Sequence, residues 1–435
     1  MSVRSRMLAL GVTVISVAVQ AVVTMPPGSA QPVAATWGPV QTLADNPRGE
    51  SLVVDTLGNT TVVWARSGAD RSIMAIQRPA GGSWGTPVPI GRGYAPQVAA
   101  DGAGNLTVVW LSQRKGFTDG VVAAERPADG EWSGPVRLSV DRNVPGYVPG
   151  AEEVYGAARV DLAVSPGGDT VVAWDWGSDQ RDKAWRIRSV DQPVGGDWSE
   201  PIEVTPASGA NSPQLGVATD GTVTLLYGRQ AFGRPQLLKA RQRPAGGDWT
   251  GPDTVAAEGY SPELAVDLAG NAVVAYTPNF NRVRAVYRPA AGPWGAARNL
   301  SPAGITIADF DLAMNGSGTA VVALGRGNGR VDLVRRPPEG PWSGPVRVAA
   351  AGSVVYDVLV ALDEAEDVFV GWGGYALYGK YLPHGGSWSE RSTISPGTGV
   401  EVLEETFAVV APDGDVVVLW KQEARPLKVR VMTAS

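Results

Sequence analysis

Two short turn signals alternate down this chain, and their period constrains the fold more than any other feature. The first is Pro-x-x-Gly-x-Trp, present at Pro79/Trp84, Pro127/Trp132, Pro193/Trp198, Pro244/Trp249, Pro289/Trp294, Pro337/Trp342 and Pro383/Trp388. The second is Asp-x-x-Gly-Asn, degenerate in several copies, centred on Gly58, Gly104, Gly168, Gly221, Gly270, Gly318, Glu366 and Gly414. An aromatic residue usually stands six positions beyond that centre, as at Trp64, Trp110, Trp174, Tyr227, Tyr276, Trp372 and Trp420. Gly58 to Gly104 is 46 residues, and Gly270 to Gly318 is 48. A period of this length marks a propeller or a solenoid.

The runs between the signals, such as TVVW and AVVAY, are short, rich in Val and bounded by Gly, Pro, Asn and Asp. They read as strands joined by hairpins rather than as helices. Asp and Asn make side-chain turns and Gly supplies positive φ, so the second signal is a hairpin with a physical basis. Each repeat then holds four strands, A to D outward from a central channel. In the second repeat these are Pro96–Gly104, Asn105–Ser112, Gly120–Pro127 and Trp132–Leu138. Four strands per radial repeat make an all-β fold, a β-propeller. The chain opens on an orphan D-type strand, Trp37–Leu43, and ends on an orphan C-type strand, Leu427–Thr433. Pairing them completes an eighth blade and removes the open edges. Seven blades with one degenerate repeat is the alternative.

At the N-terminus Arg4 and Arg6 precede an apolar run from Met7 to Val23, then Pro26-Pro27-Gly-Ser-Ala30. This order predicts a secretory signal, residues 1–30, with cleavage after Ala30. An uncleaved anchor is the alternative. Residues 31–36 read as a short linker and 37–435 as one propeller domain, monomeric and extracellular. Losing residues 1–30 removes two arginines and drives the net charge of −6 further negative. An acidic body without a basic run argues against nucleic-acid binding. Pro39, Pro87, Pro135, Pro201, Pro252 and Pro345 open D strands, where an unpaired outer edge tolerates proline.

Strand A carries two patterns on one face. Two residues before the turn Asp stand small residues, Val53, Ala99, Ala163, Gly216, Ala265, Ala313, Ala361 and Val409. Two residues earlier stand Ser51, Gln97, Asp161, Gln214, Glu263, Asp311, Leu359 and Phe407, a largely polar ring near the channel mouth. Regularity breaks at the insertion Ser139–Ala158, which leads into Asp161, and at the long loop Asp175–Lys183. Both emerge at the mouth, and loops on a rigid scaffold are where function tends to sit.

With one His, His384, inside a turn, and no Cys, a His/Cys zinc site, a Ser-His-Asp triad and a Cys nucleophile are excluded. Carboxylate chemistry survives. Asp161, Glu263 and Asp311 can supply an acid and a base for glycoside cleavage, can bind a hard cation such as Ca²⁺, or can be hydrated channel residues. The run from Asp175 to Asp182 has spaced carboxylates that suit Ca²⁺ or a solvated loop. Otherwise no metal or cofactor is expected. Tyr94, Tyr260 and Tyr356 stand at the entrance to strand A, and Arg114, Arg181, Arg229, Arg282 and Arg326 in the neighbouring loops. Aromatic faces stack on sugars and Arg reads carboxylates, so these residues suit a glycan; the tyrosines can equally plug grooves between blades.

The turn before strand D, as in Pro127-Ala-Asp129-Gly130-Glu-Trp132 and Pro193-Val-Gly-Gly-Asp197-Trp198, resembles a degenerate Asp-box of sialidase-type propellers. The hairpin Val266-Asp267-Leu-Ala-Gly270-Asn271 is similar to those of NHL-type propellers. The likeness covers nearly all of residues 37–435 and implies the fold. The sialidase Phe/Tyr-Arg-Ile-Pro signature is missing, so no catalytic residue carries over. The expectation is a propeller that binds or scaffolds a glycan or protein at its mouth. The alternative is a carboxylate-dependent glycoside hydrolase or lyase.

Overall fold

The computed structural model of the chain describes residues 36–114, 117–139, 155–178, 185–206, 209–229, 235–278, 281–302, 304, 306–350, 355–374, 376–395, 403–422 and 425–433. They form eight antiparallel sheets, seven of them four-stranded with strands in sequence order. Each first strand touches the first strand of the next sheet, and Leu403–Val410 touches Pro47–Val54. The first strands therefore encircle one axis, and the molecule is an eight-bladed β-propeller. The seven-bladed alternative falls away. Blade 1 spans 47–92, blade 2 94–137, blade 3 155–203, blade 4 210–256, blade 5 260–299, blade 6 307–350 and blade 7 357–395. Blade 8 joins 403–433 to residues 36–44. There the strand Leu427–Thr433 pairs with both Thr36–Trp37 and Gln41–Ala44, setting Trp37 opposite Met432 and Gln41 opposite Val429.

The two turn signals recur together because they are bonded together. Asp55 Oδ1 accepts from the backbone N–H groups of Leu57 and Asn59 at 2.9 and 2.8 Å, and its Oδ2 accepts from Asn59 Nδ2 at 2.8 Å. Gly58 takes φ of 82°, which the turn requires and a side chain resists. Asn59 Oδ1 then accepts the N–H of Ala80, in the other turn of the same blade, at 3.2 Å. Asn105 does this for Ala128 and Asn271 for Ala290, at 3.0 and 2.9 Å.

Eight apolar clusters fill the eight blade interfaces, and each takes one residue of the strand-B aromatic series and one Trp of the outer turns. Trp110 and Trp132 serve the interface of blades 1 and 2, Trp420 and Trp37 that of blades 7 and 8. Only at blades 5 and 6 is the aromatic replaced, by Leu324. The small residues of strand A pack in the same interfaces. At Gly216 a Cβ would stand 2.2 Å from Val266 Cγ2 of the next blade, so nothing larger fits.

Strand D is shorter than its sequence suggests. The expected strand Trp132–Leu138 is reduced to Val136–Arg137, and blade 3 has only Ile202–Glu203. Pro135 and Pro201 have no N–H to extend the ladder, so before them only single bonds from Ser133 to Glu125 and from Ser199 to Asp191 join the third strand, and continuous pairing begins after them.

Candidate functional site

The polar ring of strand A proves to be a set of clasps between blades. A first strand has no partner on its inner side, so its N–H groups need acceptors from elsewhere. Ser51 Oγ accepts from the N–H of Val98 in the next blade at 3.2 Å, and Asp161 Oδ2 from Leu215 at 2.6 Å. Gln214 Oε1 accepts from Leu264 at 2.8 Å and Asp311 Oδ2 from Val360 at 2.6 Å. The carboxyl of Glu263 accepts from the N–H of Leu312 in the same manner. Polarity at this position thus has a structural cause, which the sequence reading had left as hydration or ligand contact.

Charge does not have that cause. Gln214 makes the same clasp with an amide, yet blades 3, 5 and 6 use acids there, and on blade 7, where Leu359 holds the ring position, the acid stands two residues earlier. On blade 6 Asp309 joins Asp311, its Oδ2 accepting from Val358 of blade 7 at 3.0 Å. On blade 7 Asp357 accepts from the Thr406 hydroxyl of blade 8. Glu263, Asp309, Asp311 and Asp357 sense one another across three consecutive blades. Burial raises Glu263 well above the usual carboxylate range, and the charges of Asp311 and Asp309 raise it further. Burial likewise raises Asp309, reinforced by Asp357, whose carboxyl also hydrogen-bonds to it. Asp311 is pushed up to about 7 by burial, against the pull of the Val360 N–H. One oxygen of Glu263, Oε2, is buried without a hydrogen-bond partner among the described residues.

Asp161 stands apart. Burial pushes it up to about 7 against the N–H groups of Leu215 and Leu162, with no carboxylate contributing. The structure therefore brings Glu263 and Asp311 together but leaves Asp161 outside their cluster. Asp309 and Asp357 escaped the sequence reading, although both lie two residues nearer the strand start than the ring position. Following the strand period one step towards the mouth would have found them.

The tyrosines divide as well. Tyr260 opens the strand that carries Glu263, and Tyr356 immediately precedes Asp357. Tyr94 instead packs against the cluster between blades 2 and 3, as a groove plug does. Arg326 is buried on Asp332 within blade 6. Arg181 lies outside the described residues, as do 140–154, most of the insertion. Asp175 is fully buried, accepting from Arg159 and Ser212 N–H groups at 2.8 and 3.0 Å and from the Arg159 guanidinium, so it is a structural carboxylate and not a solvated loop residue. His384 is the turn residue expected, largely exposed, with Nδ1 3.1 Å from Glu366. Among the described residues no group of three or more His, Asp or Glu is placed to hold a metal ion.

Comparison of the coordinates with solved structures returns propellers. The BP39L lectin from Burkholderia pseudomallei matches 81% of this chain and 100% of its own at a TM-score of 0.57 and 15% identity. What the chain shares with it is the fold. A puromycin hydrolase matches 87% of this chain at a TM-score of 0.53 and 16% identity, the match spanning 59% of the hydrolase. An ulvan lyase, a polysaccharide lyase, matches 89% of this chain and 94% of its own at 13% identity, and at a TM-score of 0.45 is too loose a likeness to build on. No family model matches the chain, and no curated protein matches it in sequence.

Proposed function

We propose that this propeller is an exported, glycan-binding protein whose site lies at the mouth of blades 5 to 7. The carrying observation is the cluster of four acids, Glu263, Asp309, Asp311 and Asp357, on those blades, two of which stand where Gln214 does the same structural work uncharged. Ionised or shared carboxylates are strong acceptors for sugar hydroxyls. Tyr260 and Tyr356 stand at the head of the same strands, where an aromatic face can stack on a pyranose. The lectin among the structural neighbours is compatible with this reading, as is the Asp-box-like turn. Export rests on the Arg4/Arg6, apolar, Gly-Ser-Ala order. The intact mass of protein recovered from culture medium should begin at Gln31, whereas recovery from membranes with residues 1–30 attached would indicate an anchor.

A glycan-array screen tests the site. Glu263→Gln and Asp311→Asn, separately and together, should weaken binding to any hit at least tenfold without loss of fold. Asp161→Asn alters a clasp outside the cluster and should leave affinity within about twofold. If Asp161→Asn weakens binding while the other two do not, the cluster is the wrong site.

A second reading is supported by Glu263 and Asp311 as two buried carboxyls with raised pKa values, Glu263 in part through the charge of Asp311. One carboxyl holding a proton beside another that has lost it is the arrangement a glycoside hydrolase or lyase needs. Incubating the array hits with the protein distinguishes the two: Glu263→Gln would then abolish cleavage and spare binding.

A further inference from the structure

A second recess lies at the other end of the propeller, on the outer wall where blade 8 meets blade 1. It is a groove of about 200 Å³ between the turn of blade 1 and the two strands that close the ring. Its lining is mixed polar and apolar; Val431 and the half-buried indole of Trp84 contribute to it, and Val429 lies beneath them in the core. Gln41 and Ser83 stand exposed on its rim, and Arg78 lines its inner end. Arg78 is 4% exposed. Its Nη2 donates to Asp415 at 2.8 Å, so the guanidinium charge is already neutralised. Its Nη1, and Nε1 of Trp84, are buried with no acceptor among the described residues.

From this combination we infer a second saccharide site, built for a neutral pyranose and distinct from the mouth. The indole of Trp84 with Val431 beside it offers the apolar side that a sugar ring stacks on. The two unsatisfied groups are both donors, so the occupant must supply oxygens. Because Asp415 cancels the Arg78 charge, a hydroxyl or ring oxygen suits the groove better than a carboxylate or sulfate. Both donors are buried, so an occupant reaches them only by displacing the half-buried Trp84 indole on its exposed turn. Residues from both ends of the chain line the groove, so it exists only in the closed ring. Ligand bound there stabilises closure by mass action.

The test uses the full chain and methyl glycosides of glucose, galactose, mannose, fucose and N-acetylglucosamine, with methyl glucuronide as the charged comparison. NMR of the valine methyl groups should show at least one neutral glycoside shifting Val429 and Val431. The same sugar at large excess should raise the melting temperature by about 2–4 °C. Gln41→Ala should weaken the effect several-fold and Ser83→Trp should block it, both at exposed positions that leave the fold intact. The paired change Glu263→Gln with Asp311→Asn should leave it unaltered, which separates this site from the mouth. The inference is overturned if no neutral glycoside shifts those two valines or if the shift survives Ser83→Trp. A preference for the glucuronide, or loss in the mouth variant, overturns it equally.

Discussion

At the scale of single residues the instructive comparison is Gln214 with Glu263. Both sit at the same position of strand A and both accept the N–H of the next blade, yet one is neutral and the other is an acid whose pKa is raised by burial and by the charges of Asp311 and Asp309. Raised carboxylates fix the sign of a pH effect. Folding favours the protonated form, so the contribution of Asp311 is fully present below its ordinary value of 3.8 and is lost as pH rises through about 7. Replacing Glu263 by Gln removes the repulsion without changing shape. The difference in melting temperature between Glu263→Gln and the unaltered protein should be near zero at pH 4 and grow in favour of the variant to about 2–4 °C at pH 8. Equal melting curves at pH 8 would show that the four acids do not share a field. Gly216 illustrates the opposite kind of constraint, steric and insensitive to pH. Gly216→Ala drives a Cβ into Val266, and overpacking of that kind costs about 1–3 kcal/mol, readable by urea unfolding.

Elements show where sequence reading succeeds and where it stops. The hairpins were legible because their chemistry is local: Asp55, Gly58 and Asn59 lie within five residues and make the turn among themselves. Closure was legible because an unpaired D strand at one end and an unpaired C strand at the other leave one solution. The outer strands were overestimated because proline's missing N–H acts on ladder pairing, which residue pattern alone does not count. The clasps could not be read at all, since Ser51, Asp161 and Asp311 act on N–H groups 47 to 54 residues away. The bond from Asn105 to Ala128 gives a test at this scale. Asn105→Ala frees Asp101 Oδ2 and the Ala128 N–H together, at about 1–2 kcal/mol. Asn105→Asp keeps the acceptor for Ala128 but sets a second carboxylate against Asp101 Oδ2, so urea unfolding at neutral pH should place it no higher than Asn105→Ala, with its stability rising as the pH falls. If both variants unfold with the unaltered protein, the two turns are not energetically joined.

On the scale of the whole ring, one interface differs in kind from the rest. Blades 8 and 1 are joined by two inter-blade ion pairs buried on both sides, Arg78 with Asp415 at 2.8 Å and Lys421 with Glu50 at 3.1 Å. The other inter-blade pairs among the described residues, such as Arg335 with Glu366, are partly exposed. This is also the interface where the chain must find its own other end. Within blade 8, where the two ends pair, Arg430 donates to the Gly38 carbonyl at 2.7 Å, and on the side facing blade 7 Trp37 lies edge-on to Phe369 with centroids 6.0 Å apart. Removing residues 427–435 should therefore collapse stability far beyond the loss of a frayed tail. A buried ion pair adds little over an apolar pair of the same size, whereas breaking one strands a charge and costs about 3–5 kcal/mol. The gain from the pair is selectivity, because an apolar seam closes on a second molecule as readily as on itself. Lys421→Met alone leaves Glu50 buried and should lower stability by about that amount. Adding Glu50→Leu should restore most of it, and the double variant should then populate swapped dimers on refolding at high concentration, seen by size-exclusion chromatography. A double variant that is both stable and wholly monomeric would show that the ion pair has no part in choosing the partner strand.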